Sequence, residues 1–204
     1  YDRIMDFPGK FSDHILPDKI HLLNVSFMVN GLTEKFGGTA GNIAHALSLL
    51  GERPRILATL GHDHQQYFQW LDQRGIPTED IRVIPEEFTA SAYITTDESG
   101  NQITVFNPGA MKHPSSCSLA KADPTQVIAI VAPGNLQDMA EYAQAYQEFG
   151  IFFIFDPGQS LPAWDGGDLA RSIGRSRMLV SNGYELELIR DKTGLSTEQL
   201  LGMV

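Results

Sequence analysis

Four short stretches of this chain carry the residues able to do chemistry. Asp2 stands near the start. Gly37 and Gly38 precede Asn42 in FGGTAGNIAHALSLLG, residues 36–51. Asp156-Pro157-Gly158-Gln159 follows one apolar run and Ser181-Asn182-Gly183-Tyr184-Glu185 follows another. A carboxylate such as Asp2 can accept hydrogen bonds from substrate hydroxyls. Paired glycines remove the Cβ barrier where a backbone turns sharply or approaches a ligand. The amides of a helix that starts there can face a polar or anionic group. Each stretch also has a plain structural use: a strand-to-helix turn at Gly37-Gly38, an ordinary turn at Asp156-Pro157-Gly158, and a capping box at Asn182 and Glu185.

The glycine spacing excludes two familiar loops. It is not G-x-G-x-x-G, and no Lys-Ser or Lys-Thr follows, so a P-loop is ruled out and dinucleotide binding on a Rossmann-like sheet is weakly supported. His62 and His64 flank Asp63 without further ligands at suitable spacing, and no direct metal ligand is expected. A lone cysteine, Cys117, supplies neither a disulfide framework nor a zinc site and reads as an incidental thiol in a polar loop. At 204 residues, 42% hydrophobic and 20% charged, the chain reads as a soluble domain able to bury a core. Its formal net charge of −10, with no basic cluster, lacks the main electrostatic term for nucleic-acid binding. No apolar run approaches the ~18 residues that span a bilayer, and no basic segment followed by an apolar one opens the chain, so no membrane partner and a cytoplasmic location are expected.

Residues 1–7 read as a strand ending at Pro8-Gly9, which places Asp2 near a strand's C-terminal, ligand-bearing edge. In 36–51, Ile43, Ala44, Ala46, Leu47 and Leu50 fall largely on one helical face and Gly51 closes the helix. Residues 21–29 are rich in strand formers, and Asn30-Gly31 makes a turn before 32–36. Residues 89–97 and 102–106 form a hairpin around Glu98-Ser99-Gly100-Asn101. Two such pieces predict a small attached sheet, a lid able to exclude water. Between them come a strand over 55–60, a helix capped by Asp63 that runs to Arg74, and an edge strand over 81–84. From residue 127 the pattern is regular, with strands over 127–132, 151–155 and 178–180 and helices over 135–149 and 184–191. That alternation predicts right-handed crossovers and a parallel sheet covered on both faces, with the four chemical stretches converging on one edge.

Gly37, Gly38, Asn42, Ala44, Leu47, Leu50 and Gly51 together resemble the first signature of the ribokinase-like (PfkB) carbohydrate and nucleoside kinases. Asn182-Gly183-Tyr184-Glu185 resembles that family's Asn-x-x-Glu motif. Within the family, residues 7–27, FNPGAM at 106–111 and DPGQSL at 156–161 are similar to bacterial adenosine kinases. The resemblance implies an α/β fold: a three-layer αβα sandwich with a mainly parallel central sheet and a small β-sheet lid from segments 10–36 and 88–110, all within one kinase domain over 1–204. It implies ATP and Mg2+ as cofactors and transfer of the γ-phosphate to the primary hydroxyl of a ribose. Adenosine is the preferred acceptor, a free sugar such as ribose or fructose the alternative. A non-catalytic nucleoside- or sugar-binding regulator is the competing reading.

By the same resemblance Asp2, Ser26, Gly38, Asn42, Phe106 and Gln159 bind substrate, with Phe106 stacking on the base and Gln159 reaching its polar edge. Asn182 and Glu185 organise magnesium and phosphates. Where relatives place a second stacking aromatic, this chain has Ala92, with Tyr93 beside it. The family's Gly-Ala-Gly-Asp-like segment, which holds the anion hole and general base, does not occur in the sequence, the first residue is Tyr, and Val204 falls inside a helical pattern. The chain is therefore expected to be the N-terminal two-thirds of a kinase, with its base beyond Val204. Bare lid-strand edges predict a homodimer clasped through them.

Overall fold

The computed structural model describes residues 1–22, 24–116, 118 and 122–204. Cys117 lies outside the described residues. The chain forms two compact units, Tyr1–Lys112 and His113–Val204. Among the described residues no helix is long and apolar enough to cross a membrane.

The first unit is built from β1 (Asp2–Asp6), β2 (Thr33–Lys35), α1 (Thr39–Leu49), β3 (Ala58–Gly61), α2 (Gln65–Asp72), β4 (Ile81–Ile84), β5 (Ser91–Thr96) and β6 (Gln102–Asn107). Four strands form one sheet in the order β2-β1-β5-β6, with β1 parallel to β5 and antiparallel to β2, and β5 antiparallel to β6. The predicted hairpin around Glu98–Asn101 is therefore present. β3 and β4 pair in parallel across the α2 crossover, so the expected edge strand over 81–84 has one partner. Under them Ile56, Leu60, Tyr67, Leu71, Ile76 and Ile81 pack with Tyr1 and Ala44 into one core. Tyr67 and Leu71, four apart, give α2 its buried face.

Among the described residues the strand expected over 21–29 does not form. The chain makes short 3-10 turns at Phe11–Asp13 and Pro17–Leu22, and only Thr33–Lys35 joins the sheet. Burial still alternates from 24 to 30, with Val25, Phe27 and Val29 turned inward. Phe27 packs against Phe7 and Phe11, ring centroids 4.9 and 5.0 Å away, and Phe11 stacks on Phe7 at 5.5 Å. Aromatic packing takes the place of a hydrogen-bonded ladder here, because strand propensity acts only where a partner edge is offered. Asp63 does not cap α2. His64 holds that position without a side-chain bond, while Asp63 accepts from Thr89 N at 2.8 Å and Thr89 Oγ1 at 2.6 Å.

The second unit contains β7 (Ile128–Val131), α3 (Leu136–Glu148), β8 (Phe152–Phe155), α4 (Gly166–Arg175), β9 (Met178–Leu179), α5 (Gly183–Thr193) and α6 (Thr197–Leu201). Its strands form a parallel sheet in the order β7-β8-β9. Val131, Phe153 and Phe155 point into a core with Met139, Ala143, Tyr146, Leu169, Ile173 and Ile189. Truncating either wholly buried phenylalanine to alanine costs about 3–5 kcal/mol. Cover was expected on both faces. Here the second face, with Ile128, Ile130, Phe152 and Met178, is open to solvent. Helix α4 was not foreseen, because Gly166-Gly167 and a polar composition hide it. Its signal is Asp165, whose carboxylate caps Gly167 N at 2.8 Å, followed by the i, i+3, i+4 face of Leu169, Ser172 and Ile173.

Candidate active site

In the first unit the glycine turn and Asp2 are one local structure. Asp2 opens β1, so it stands at the strand's N-terminal end and not near the C-terminal edge predicted for it. Its carboxylate lies beneath Gly37, where any Cβ would collide with it. Gly38 follows at φ +91°, a conformation that L side chains rarely adopt, and leads into α1 with no side-chain cap. The amides of Thr39, Ala40 and Gly41 precede the first intrahelical bond. Asn42, exposed in that first turn, donates its N–H to Gly38 O at 3.0 Å. Gly41 is small for a separate reason: the Tyr67 hydroxyl occupies the space a Cβ would need, and it donates to Gly37 O at 2.8 Å. Burial, helped by the Asp2 charge, pushes the Tyr67 phenol up to about 12, so the bond is intact across the physiological range.

Strand register extends this site across the sheet. Asp2 is paired with Ala92, and Ala92 with Phe106, so the three residues share one face in a single row. Phe106 is half exposed on that face. Tyr93 alternates to the opposite face, where its hydroxyl accepts from Arg3 Nη1 at 3.0 Å, and so it offers no second ring beside Phe106. The hollow lined by Tyr1, Arg3, Glu34, His62 and Asp63 involves that opposite face too. Its one arginine, Arg3, is taken up by Glu34 at 3.0 Å and by Ser91 and Tyr93, so the row containing Asp2 is the better ligand surface. Ser26 is exposed beside Phe27 and, among the described residues, makes no hydrogen bond to Asp2 or Asn42. His62 packs edge-on against Phe88, and the His64 ring shares a hydrogen bond with Gly61 O at 2.9 Å.

In the second unit the candidate residues follow the ends of β8 and β9. Asp156 follows β8 and donates its N–H to Val131 O at 2.8 Å. Gly158 turns the chain at φ +38° into a 3-10 segment, Gly158–Ala163, on which Gln159 is exposed. Asn182 caps α5: its Oδ1 accepts from Glu185 N at 2.9 Å, and Glu185 Oε2 accepts from Asn182 N at 2.9 Å. The capping box therefore occupies one oxygen of Glu185. Asp156, which the sequence places in a chemical stretch without giving it a role of its own, belongs to the same cluster, since burial and then the Glu185 charge raise its carboxyl above the ordinary carboxylate range. Its signal was its place, an acidic residue just past the carboxyl end of the middle strand of a parallel sheet. Two carboxylates that repel each other at a helix start fit a hard cation that keeps most of its water shell. They do not make a closed cage; among the described residues no group of three or more His, Cys, Asp or Glu could hold a metal.

Comparison with known proteins identifies the family. The pfkB family carbohydrate kinase model matches residues 10–204. A nucleoside kinase of Methanothermobacter thermautotrophicus is 27% identical over 183 residues, 88% of this chain and 59% of that protein. Among solved structures, the Burkholderia thailandensis nucleoside kinase in complex with inosine matches with a TM-score of 0.83 and 43% identity, over 100% of this chain and 64% of its own. The same enzyme with ADP-inosine gives a TM-score of 0.79 at 45% identity, again with 64% of its chain covered. The Methanocaldococcus jannaschii nucleoside kinase, an archaeal member of the ribokinase family, gives 0.82 at 25% identity, over 100% of this chain and 64% of its own. This chain thus spans less than two thirds of these relatives. Its α/β fold is the ribokinase-like one, and with its glycine turn, its Asn-x-x-Glu cap and a family match over nearly its whole length, the chain belongs to the pfkB family of carbohydrate kinases.

Proposed function

We propose that the whole protein is an ATP-dependent nucleoside kinase that phosphorylates the primary hydroxyl of a ribose, with adenosine the first candidate acceptor. The row Asp2–Ala92–Phe106 carries the reading. Three adjacent strands, at roughly 4.8 Å spacing, set a carboxylate and an aromatic ring about 10 Å apart on one face, close to the length of a nucleoside. A free sugar offers no flat π-face to stack on Phe106. In this reading Asp2, Asn42 and the Gly38 turn hold the ribose hydroxyls, Ser26 meets a polar edge of the nucleoside, and Phe106 stacks on the base; in the second unit Gln159 is a separate candidate for a polar contact to substrate. Asp156 and Glu185 would hold Mg2+ through water, with Asn182 fixing Glu185; bound Mg-ATP supplies the phosphoryl group and screens its charge. In the same proposal residues 10–36 and 88–110 act as the lid, and the location is cytoplasmic.

Transfer of labelled phosphate from ATP by the full-length protein tests this. One-sided base stacking predicts kcat/KM for adenosine or inosine roughly 10–100-fold above ribose or fructose. Equal or better use of the free sugars overturns it. We also propose a homodimer through the lid strands, since Tyr93, Ile103 and Val105 expose apolar surface on the face away from Phe106, next to the bare β6 edge. Light scattering at micromolar concentration should give twice the monomer mass; a monomer counts against the clasp.

A further inference from the structure

Asp97 is 5% exposed and follows directly on β5. A carboxylate at the start of a hairpin turn ordinarily closes only the turn, and Oδ1 does this by accepting from Ser99 N at 2.9 Å and Asn101 N at 2.8 Å. The other oxygen is used differently. Oδ2 accepts from the Asn101 side-chain amide at 3.1 Å and from Phe11 N at 3.0 Å, a donor 86 positions away. Two backbone bonds join the same segments, Glu98 N to Gly9 O at 3.0 Å and Phe7 N to Thr96 O at 2.8 Å. Phe11 in turn packs on Phe7 and Phe27, and Ser26 is the residue before Phe27.

We propose that Asp97 is a positioning residue for nucleoside binding: its carboxylate locks residues 8–30, which carry Ser26, to the β5–β6 hairpin, which carries Phe106, so that both segments meet substrate as one body. The proposal rests on the reading that those two side chains touch the nucleoside. Closure of a turn needs no bond to a segment so remote, whereas a shared carboxylate is an economical way to stop two lid pieces moving independently. A buried acceptor with four donors also leaves all four unpaired when it is removed, so the coupling is strong for a single side chain.

The test uses the full-length protein and three variants: Asp97→Ala, Asp97→Asn, and Asn101→Ala, which removes only a donor within the turn. In Asp97→Ala, amide hydrogen exchange is expected to quicken about tenfold or more in residues 8–30 and 98–102 together. Asp97→Asn is expected to lie between it and the wild type, and Asn101→Ala to quicken exchange only in 98–102. In kinetics the Asp97 variants should raise KM for the nucleoside roughly tenfold while kcat at saturation and KM for ATP hold within about threefold. Asp97→Ala that loosens 98–102 and leaves 8–30 protected overturns the proposal, and so does a fall in kcat with nucleoside KM unchanged. If Asp97→Ala does not fold, Asp97→Asn against Asn101→Ala decides the same question. If the wild type phosphorylates no nucleoside, the functional reading fails, while the exchange pattern still decides whether Asp97 joins the two segments.

Discussion

Two aspartates stand at equivalent places, each just past the end of a strand, and their surroundings give them opposite characters. Asp97, after β5, meets four N–H donors. Burial alone would raise its carboxyl, but the bonds from Asn101, Phe11 and Ser99 outweigh that and hold it below the ordinary range. Asp156, after β8, is raised by burial and by the Glu185 charge, against a single opposing bond from Gly158. Position in the fold therefore does not set the character of a carboxylate; its donors and neighbouring charges do. Amides consume the charge of Asp97 for architecture, and the charge of Asp156 is left in need of a counter-ion.

The largest expected effect breaks that comparison from the Asp156 side. Asp156→Asn keeps the shape and removes one of the two repelling charges. The folded protein should be no less stable, while the magnesium concentration for half-maximal phosphoryl transfer by the full-length protein rises roughly 10–100-fold. Asp97→Asn should do the reverse, lowering thermal stability with no change in magnesium dependence. Titrating both variants with Mg2+ while recording melting temperature separates the two characters. Equal magnesium shifts in both would show that the distinction drawn from their donors is wrong.

How far the chain could be read without coordinates follows from the same contrast between local and distant causes. The glycine turn, α1, the 98–101 hairpin, the parallel strands after 127 and the Asn182–Glu185 cap were legible because neighbouring residues determine each of them. Residues 21–29 were misread because the competitor for a strand was an aromatic cluster assembled from Phe7, Phe11 and Phe27, which no window of local sequence contains. Asp63 was misread for a similar reason, since its partner Thr89 lies 26 residues on. The row of Asp2, Ala92 and Phe106 needed strand register, and Asp97 and Asp156 needed their donors and neighbours. Gln159 takes a role from its motif while Asp156, three residues earlier in the same stretch, takes none, because a turn sequence looks the same whether or not a second carboxylate faces it.

Acid sharpens the comparison with the smallest expected effect. A carboxyl held low in the folded state contributes stability that is fully present above its unfolded range, near pH 4, and is lost as pH falls through the lower folded value. A carboxyl held high works the other way: its contribution is present below the unfolded range and disappears as pH rises through the higher folded value. On acidification from neutrality Asp156 therefore takes up its proton first and relieves its repulsion with Glu185, and Asp97 does so last and releases its donors. Melting temperature against pH should accordingly differ between variants. Asp156→Asn is expected to remove a gain in stability on acidification and so steepen the fall just above pH 4, and Asp97→Asn to flatten the fall below it. Superimposable pH profiles for the two variants would mean that the opposite surroundings of these aspartates have no consequence for the stability of the fold.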